Sequence, residues 1–181
     1  MNKGHDTQDE IVAALRRIIR AVDLHSKYLA QASGLTGPQL VVLQYLARQG
    51  PQTTGEVARA VSMGQATLSD ILERLEGKVL VRRERSKEDK RRVINELTPA
   101  GEAAVDKAPP LLQERFVREL SNLEDWEQTL ILSTLQRVAK MMQAEQIEAS
   151  PVLVSGPFSA SAQETAEFLA TSEPTEEPEQ P

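Results

Sequence analysis

The chain contains no cysteine among its 181 residues, and aromatic residues make up only 3% of it. The absence of cysteine excludes disulfide bonds, thiolate zinc sites, thiol nucleophiles and thiol redox switches. No apolar run approaches the ~18 residues that a membrane-spanning helix needs, and the first ten residues are too polar for a secretory signal peptide. We therefore expect a soluble cytoplasmic protein that makes no membrane contact.

The net charge of −6 is concentrated at the C-terminal end of the sequence. Residues 151–181 contain six glutamates, five of the ten prolines, and no lysine or arginine. The rest of the chain, residues 1–150, carries 21 acidic and 21 basic residues and is therefore neutral. Because the tail has too little apolar surface to offset the entropy of ordering it, we expect 151–181 to be disordered.

Apolar residues recur at helical spacing at both ends of the remaining chain. One stripe predicts a long helix over about 7–33, and a second stripe lies within 99–149, where Pro109-Pro110 must kink or divide the helix. Four hydroxyl residues stand three positions before Glu or Gln, the spacing of a capping box, and are predicted helix starts: Thr7, Thr53, Ser62 and Ser121.

The middle of the chain has the proportions of a helix-turn-helix over about 53–77. Two β runs follow within about 79–97, and residues 82–92 between them hold seven bases and three acids. A basic hairpin after a helix-turn-helix predicts a winged helix. The expected fold class is mainly α with a small β-hairpin wing. Because Val79 is β-branched, we expect the helix to end at Gly77 instead.

The second helix of this pair, residues 64–76, is about 20 Å long at 1.5 Å per residue and suits a major groove. With its apolar stripe facing the lobe core, four polar side chains face outward and are candidate DNA contacts: Gln65, Thr67, Ser69 and Arg74. Gln65 suits adenine, the two hydroxyls suit bases or phosphate, and Arg74 suits phosphate. The alternative for Gln65 is that a capping box with Ser62 occupies it.

Several ordered motifs together resemble the MarR family of winged-helix transcriptional regulators. They are Leu35-Thr36, then Thr53-Thr54-Gly55-Glu56-Val57-Ala58, then Asp89-Lys90-Arg91-Arg92, and finally Leu97-Thr98-Pro99-Ala100-Gly101. The resemblance covers about residues 7–147. It implies a homodimer interlocked through helices about 7–33 and 99–149, and a lobe that binds double-stranded DNA, usually as a repressor. The terminal apolar stripes also favour a dimer, the alternative being a monomeric helical bundle.

The resemblance also assigns roles to residues of the wing and of the first short helix. It implies that Arg91 enters a narrow minor groove, with Asp89 holding its guanidinium in place. Lys87, Lys90 and Arg92 would contact phosphate, as expected of bases that follow the backbone. Thr53 and Thr54 are further candidate DNA contacts.

The sequence says less about regulation. The resemblance implies a ligand cleft between the dimer helices and the lobe, and four residues are candidates to face it: Arg16, Tyr28, Gln39 and Tyr45. No metal-ligand spacing appears, so we expect neither a metal nor a cofactor. An enzyme is disfavoured because no catalytic set is recognisable. The alternative to a DNA-binding regulator is a winged-helix protein–protein adaptor that uses its acidic tail.

Overall fold

The computed structural model describes residues 3–86, 89, 92–145, 147 and 152–155, with side chains from residue 6 onward. The elements, in chain order, are α1 (Lys3–Ser33), α2 (Gly37–Gln49), β1 (Gln52–Thr53), α3 (Thr54–Ala60), α4 (Gln65–Gly77), β2 (Val81–Arg85), β3 (Val93–Leu97), α5 (Pro99–Lys107), α6 (Leu112–Leu120) and α7 (Asp125–Met141). The predicted division at Pro109-Pro110 is confirmed, because α5 ends before the two prolines and α6 begins after them.

The chain forms two compact units. The first contains residues up to Arg115 together with the short segment 152–155, and the second contains the chain from Phe116 through the end of α7. The core of the first unit is built around α2, α3 and α4. In α4 the buried residues are the predicted stripe of Leu68, Ile71, Leu72 and Leu75, which confirms the face that this helix turns toward the lobe.

Only one of the four predicted capping boxes begins a helix at the expected residue. Thr53 precedes α3, and its hydroxyl accepts from the Glu56 amide at 3.3 Å while the Glu56 carboxylate accepts from the Thr53 amide at 2.9 Å. The Thr7 prediction was wrong because α1 begins earlier, at Lys3. Ser62 has a φ of 51° in the turn after α3, and Gly64 takes the N-cap position of α4.

Ser121 was also wrongly predicted as a cap. Its hydroxyl donates to the Arg118 carbonyl at 2.8 Å, so it closes the last turn of α6. Glu124 precedes α7 in its place, and its amide donates to the Glu127 carboxylate at 2.9 Å. A hydroxyl at capping spacing therefore begins a helix only where the preceding turn leaves it unused.

The connection from α4 to the wing confirms the expected end of the helix at Gly77 but not the expectation that Val79 avoids a positive φ. Gly77 is the last helical residue, and Val79 itself adopts the left-handed conformation, with a φ of 59°. Its amide donates to the Glu76 carbonyl at 2.8 Å, and its carbonyl accepts from the Thr98 hydroxyl at 2.7 Å. These two hydrogen bonds hold a β-branched residue in a conformation that sterically favours glycine.

The wing is part of a three-stranded antiparallel sheet in the order β1-β3-β2. The strands β2 and β3 form the predicted hairpin, but β2 extends into the basic run, at Val81–Arg85, rather than ending before it. Within the hairpin, Arg83 pairs with Asn95 and Arg82 with Glu96. The two-residue strand β1 was not predicted, because two residues show no alternation of polar and apolar positions. It pairs Gln52 with Asn95 and thereby ties the start of α3 to the wing.

A segment inside the predicted tail packs on the first unit. Val152 is 3% exposed and belongs to the hydrophobic core. Val154 packs so closely on Gly37 that a Cβ added to this glycine would collide with the valine side chain. The Ser155 amide donates to the Ser26 hydroxyl at 3.0 Å. The packed part of the chain therefore includes 152–155, which differs from the expected boundary, whereas the prediction of disorder for 156–181 concerns residues outside those described.

Large apolar side chains are exposed on the helices at both ends of the chain. In α1 they include Ile11, Ile18 and Ile19, and in the second unit they include Trp126, Leu130, Leu132 and Leu135. No residue of α7 is buried within the described chain. Within the same residues, no helix combines the length and the apolar character needed to span a bilayer.

Candidate nucleic-acid interface

A surface concavity of about 1020 Å³ lies where α3, the start of α4 and the wing meet. Its lining includes five of the predicted DNA contacts, namely Thr53, Thr54, Gln65, Ser69 and Arg92. It also includes Arg59 and Arg83, which were not predicted as contacts. The lining therefore carries three arginines and one glutamate, Glu56, and offers a cationic surface to an anionic partner.

The two threonines at the start of α3 have different roles. The Thr53 hydroxyl donates to the Glu56 carboxylate at 2.7 Å and accepts from the Glu56 amide, so it is used within the cap. These bonds from Thr53 hold the pKa of Glu56 below its ordinary value, with Arg92 and Arg59 adding a smaller effect of the same sign. The Thr54 hydroxyl instead accepts from the Asn95 amide at 3.2 Å. Of the two, Thr54 is the better placed to donate outward.

The polar residues of α4 divide between its first turn and the rest of the helix. Gln65 is the exposed first residue of α4, and because Gly64 is the N-cap, it is not engaged in the alternative capping box with Ser62. The Ser69 hydroxyl donates to the Gln65 carbonyl at 2.8 Å. Thr67 and Arg74 are exposed on the same helix but do not line the concavity. The first turn of α4 is thus the part that borders the cationic surface.

The two arginines that were not predicted are held by short local contacts. Arg59 lies in the last turn of α3, and its Nε donates to the Gly55 carbonyl at 3.3 Å. Arg83 lies on β2, partly buried, with its Nη1 3.6 Å from the Glu76 Oε2. Strand alternation from buried Val81 would have indicated that Arg83, rather than Arg82, faces the same side of the sheet as the core. Arg82 instead pairs with Glu96 across the strands, and that contact raises its pKa.

The tip of the wing lies only partly within the described residues. Asp89 forms an ion pair with Arg92, 3.5 Å between Oδ2 and Nε, and its carbonyl accepts from the Arg92 amide at 2.9 Å. Lys87, Lys90 and Arg91 lie outside the described residues, so the pairing of Asp89 with Arg91 stays a prediction. The described part places one exposed base of the wing, Arg92, in the concavity.

The four candidate effector contacts occupy varied surroundings. Gln39 is buried, and its side-chain carbonyl accepts from the Thr36 amide at 3.1 Å, which commits it to the start of α2. Tyr45 packs at the edge of the core. Tyr28 is exposed with its ring tilted against His25, and Arg16 is exposed on α1. Their gathering around a ligand stays a prediction.

A helix-turn-helix and a wing that share one cationic concavity define the class of winged-helix nucleic-acid-binding proteins. Comparison with known proteins identifies the family. The model of the MarR family matches residues 35–93. The chain is 30% identical over 140 residues to the HTH-type transcriptional repressor NicR of Pseudomonas putida, which covers 76% of this chain and 87% of that protein.

Two further proteins agree with this assignment. The transcriptional regulator HosA of Escherichia coli is 38% identical over 111 residues, covering 61% of this chain and 79% of that protein. The solved structure of the PcaV transcriptional regulator from Streptomyces coelicolor, in complex with its natural ligand, matches with a TM-score of 0.51 at 25% identity. It covers 71% of this chain and 91% of that one. The chain belongs to the MarR family and is a DNA-binding transcriptional regulator.

Proposed function

We propose that the protein is a homodimeric, sequence-specific repressor that reads a pseudopalindromic operator with α4 in the major groove and the wing, residues 82–92, in the minor groove. The observation that carries the proposal is the concavity in which Arg59, Arg83 and Arg92 border the first turn of α4. Arginines so placed would contact the phosphate backbone beside an inserted helix. The repressor role draws support from NicR, which is named a transcriptional repressor.

Base recognition is assigned to the exposed face of α4. The helix has 13 residues, about 20 Å at 1.5 Å per residue, which fits along a major groove about 12 Å wide. Gln65 and Thr67 are exposed near its N-terminal end, where a recognition helix contacts base edges. Further along the helix, Ser69 lies on the side of Gln65 and Arg74 on the side of Thr67, and both would contact base or phosphate.

The dimer is inferred from the exposed apolar side chains of α1 and α7. Large exposed apolar patches on helices mark surfaces that associate with another protein, and a second copy of the same chain is the simplest partner. Two symmetric lobes would then read half-sites about one helical turn, roughly 34 Å, apart. In this proposal residues 7–147 form the functional domain.

The experiment that tests DNA recognition is footprinting of the DNA upstream of the protein's own gene at two salt concentrations. We expect a protected pseudopalindrome of some 20 base pairs, as two half-sites one turn apart require. With about six phosphate contacts per dimer, log Kd should depend on log salt with a slope of magnitude about 5. A folded protein that binds neither this DNA nor genomic fragments at either salt would refute the proposal.

Replacing the arginines of the concavity tests the site itself. Arg59→Ala and Arg92→Ala should each weaken binding and reduce the salt slope by roughly 2, because each removes two phosphate contacts from the dimer. Arg17→Ala is the matched control, since Arg17 is an exposed arginine of α1 whose Nε donates to its own helix at Ala13. If both site variants kept the wild-type slope, the concavity would not be the DNA surface.

The predicted minor-groove contact has its own test. Arg91→Ala should abolish tight operator binding while leaving the dimer intact, because a narrow minor groove concentrates negative potential on an inserted guanidinium. Wild-type affinity in this variant would contradict the wing assignment.

The dimer is tested on α7. Leu135 is an exposed leucine of this helix, so Leu135→Glu should place a charge in the proposed interface and shift the sedimenting species from dimer to monomer. Gln136→Glu, on the next residue and about 100° around the helix, is the control. Trp126 is the only tryptophan and is exposed, so its emission should shift to the red on dilution if the dimer buries it. A monomeric wild type would contradict the dimer.

A small-molecule effector completes the proposal. PcaV was solved with its natural ligand bound, and Arg16, Tyr28, Gln39 and Tyr45 are the candidate contacts here. We expect a compound that binds this protein to raise its Tm and to release the footprint, because a ligand that favours a state other than the DNA-bound one shifts the equilibrium away from DNA. Substituting Tyr45 should then weaken the effect of the compound without changing DNA affinity in its absence.

A further inference from the structure

Asn95 lies at the centre of the sheet, in the middle of β3, and is fully buried with 0% of its surface exposed. It is paired on one side with Gln52 of β1 and on the other with Arg83 of β2. A buried amide in the middle of a sheet is costly unless its polar atoms are used. What Asn95 bonds to therefore indicates what it does.

The amide nitrogen of Asn95 is used twice. Its Nδ2 donates to the main-chain carbonyl of Gln52 at 3.1 Å and to the Thr54 Oγ1 at 3.2 Å. The carbonyl of Gln52 can only accept, so it fixes which end of the Asn95 amide faces β1. The Thr54 hydroxyl consequently accepts from Asn95 and keeps its own hydrogen for another acceptor. Since Thr54 lines the concavity, that acceptor can be a phosphate oxygen.

The carbonyl oxygen of Asn95 lies on a residue that is paired across the strands with Arg83, a second residue of the site. Within the described part of the chain, Asn95 Oδ1 and Arg83 Nε are buried and make no hydrogen bond. Paired residues on neighbouring antiparallel strands project from the same face of the sheet, with Cβ atoms about 5 Å apart. A buried acceptor and a buried donor thus stand opposite each other, while the Arg83 Nη1 is 3.6 Å from Glu76.

We propose that Asn95 is a positioning residue for the DNA backbone contact. Its amide nitrogen holds Thr54 as a hydrogen-bond donor to one phosphate. Its carbonyl accepts a hydrogen bond from the Arg83 Nε when the guanidinium turns from Glu76 to a neighbouring phosphate. The proposal rests on the function proposed above, and it names two residues of the site, Thr54 and Arg83, that contact phosphate through the support of a third.

A double-mutant cycle on the duplex recovered by footprinting tests this inference. Thr54→Val should lower affinity about tenfold and Asn95→Val about thirtyfold, because Asn95→Val also removes the support of Arg83; in the Thr54→Val background Asn95→Val should then cost only about threefold. Non-additivity of this kind arises when two residues act through one interaction. Thr54→Ser keeps the hydroxyl and should recover most of the affinity that Thr54→Val loses. Ile94→Val, which changes a neighbouring residue of β3 and no hydrogen bond, should also leave affinity unchanged.

Thermal unfolding of each variant is measured alongside, because Asn95→Val also removes the donor to Gln52. Asn95→Ser, which adds no charge and no bulk, is carried through the same cycle and should show the same non-additivity. Equal losses from Asn95→Val with and without Thr54 would overturn the inference and leave Asn95 a purely structural residue. A wild type that binds no DNA would instead refute the proposed function, so the two failures are distinguishable.

Discussion

The left-handed residue after α4 provides a quantitative test of how this fold is strained. Val79 has a φ of 59° and is 67% exposed. An L-residue in this conformation costs about 1–2 kcal/mol, with β-branched side chains at the upper end. Gly77, two residues earlier, is helical, and a Cβ added there would meet nothing within 4 Å. Alanine would therefore fit the helical backbone at residue 77, and glycine would fit the left-handed backbone at residue 79.

We expect the two substitutions Gly77→Ala and Val79→Gly to stabilise the protein. Val79→Gly removes about 2 kcal/mol of strain, against about 0.5–1 kcal/mol of added chain entropy and about 0.5–1 kcal/mol of lost burial. The net gain is then about 0.5 kcal/mol. Gly77→Ala should raise the free energy of unfolding further, by about 0.5–1 kcal/mol, because alanine is favoured over glycine at a helical position with open space. The double variant should be more stable by about 1 kcal/mol, a rise in Tm of roughly 3 °C for a domain of this size.

The assay is thermal unfolding followed by circular dichroism, at one protein concentration because the stability of the proposed dimer would depend on concentration. Val79→Ala is the control, since alanine loses the same contacts but keeps a Cβ; it relieves only about 1 kcal/mol of strain and should leave the Tm nearly unchanged. Neither residue lines the concavity, so DNA affinity should change less than twofold. If Val79→Gly gave a lower Tm than Val79→Ala, conformational strain at this residue would be refuted.

Three further predictions concern packing and charge. Gly101→Ala should destabilise the protein by about 2 kcal/mol or more, because the added Cβ would collide with the Leu80 carbonyl, which is backbone and cannot yield cheaply. Gly37→Ala should lower the Tm by colliding with Val154, and Val154→Ala should restore much of that loss. Glu56 has a lowered pKa, so its contribution to stability is present above its unfolded pKa and is lost as pH falls through the folded one. The Tm difference between wild type and Glu56→Gln should therefore shrink as pH falls below about 4.5.

Thermal unfolding decides all three. A Gly101→Ala variant as stable as wild type would contradict the close approach of α5 to the wing. A Gly37→Ala variant that gains nothing from Val154→Ala would mean that residues 152–155 do not pack on α2 in solution. A Glu56→Gln difference that stays constant from pH 7 to pH 3 would contradict the role of Glu56 in the α3 cap.

Local patterns in the sequence predicted those parts of the fold that depend on neighbouring residues. The stripe of α4, the cap of α3 at Thr53, the division at the paired prolines and the β hairpin are all present. Each depends on the spacing of residues within one short stretch of the chain, the range over which helical periodicity, capping and hairpin turns operate. Where the same spacing failed, at Ser62 and Ser121, the preceding turn had already used the residue.

The MarR family assignment was also predicted from the sequence, because it depends on motifs that occur in a fixed order and at fixed spacing. The acidic tail and the absence of cysteine followed from composition alone.

Only the tertiary structure decided which side chains form the cationic concavity. Arg59 and Arg83 are 24 positions apart in the sequence, and neither was singled out as a DNA contact, yet the pairing of β1 and β2 with β3 brings α3 and the wing together around them. Asn95 contacts Gln52 and Thr54 more than 40 residues away. Val152 is likewise buried in a core whose other residues lie at or before Leu111 in the sequence. Contacts at such separations depend on strand register and packing, which no local pattern specifies, and for this reason the sequence determined the family and the elements while the fold determined the site.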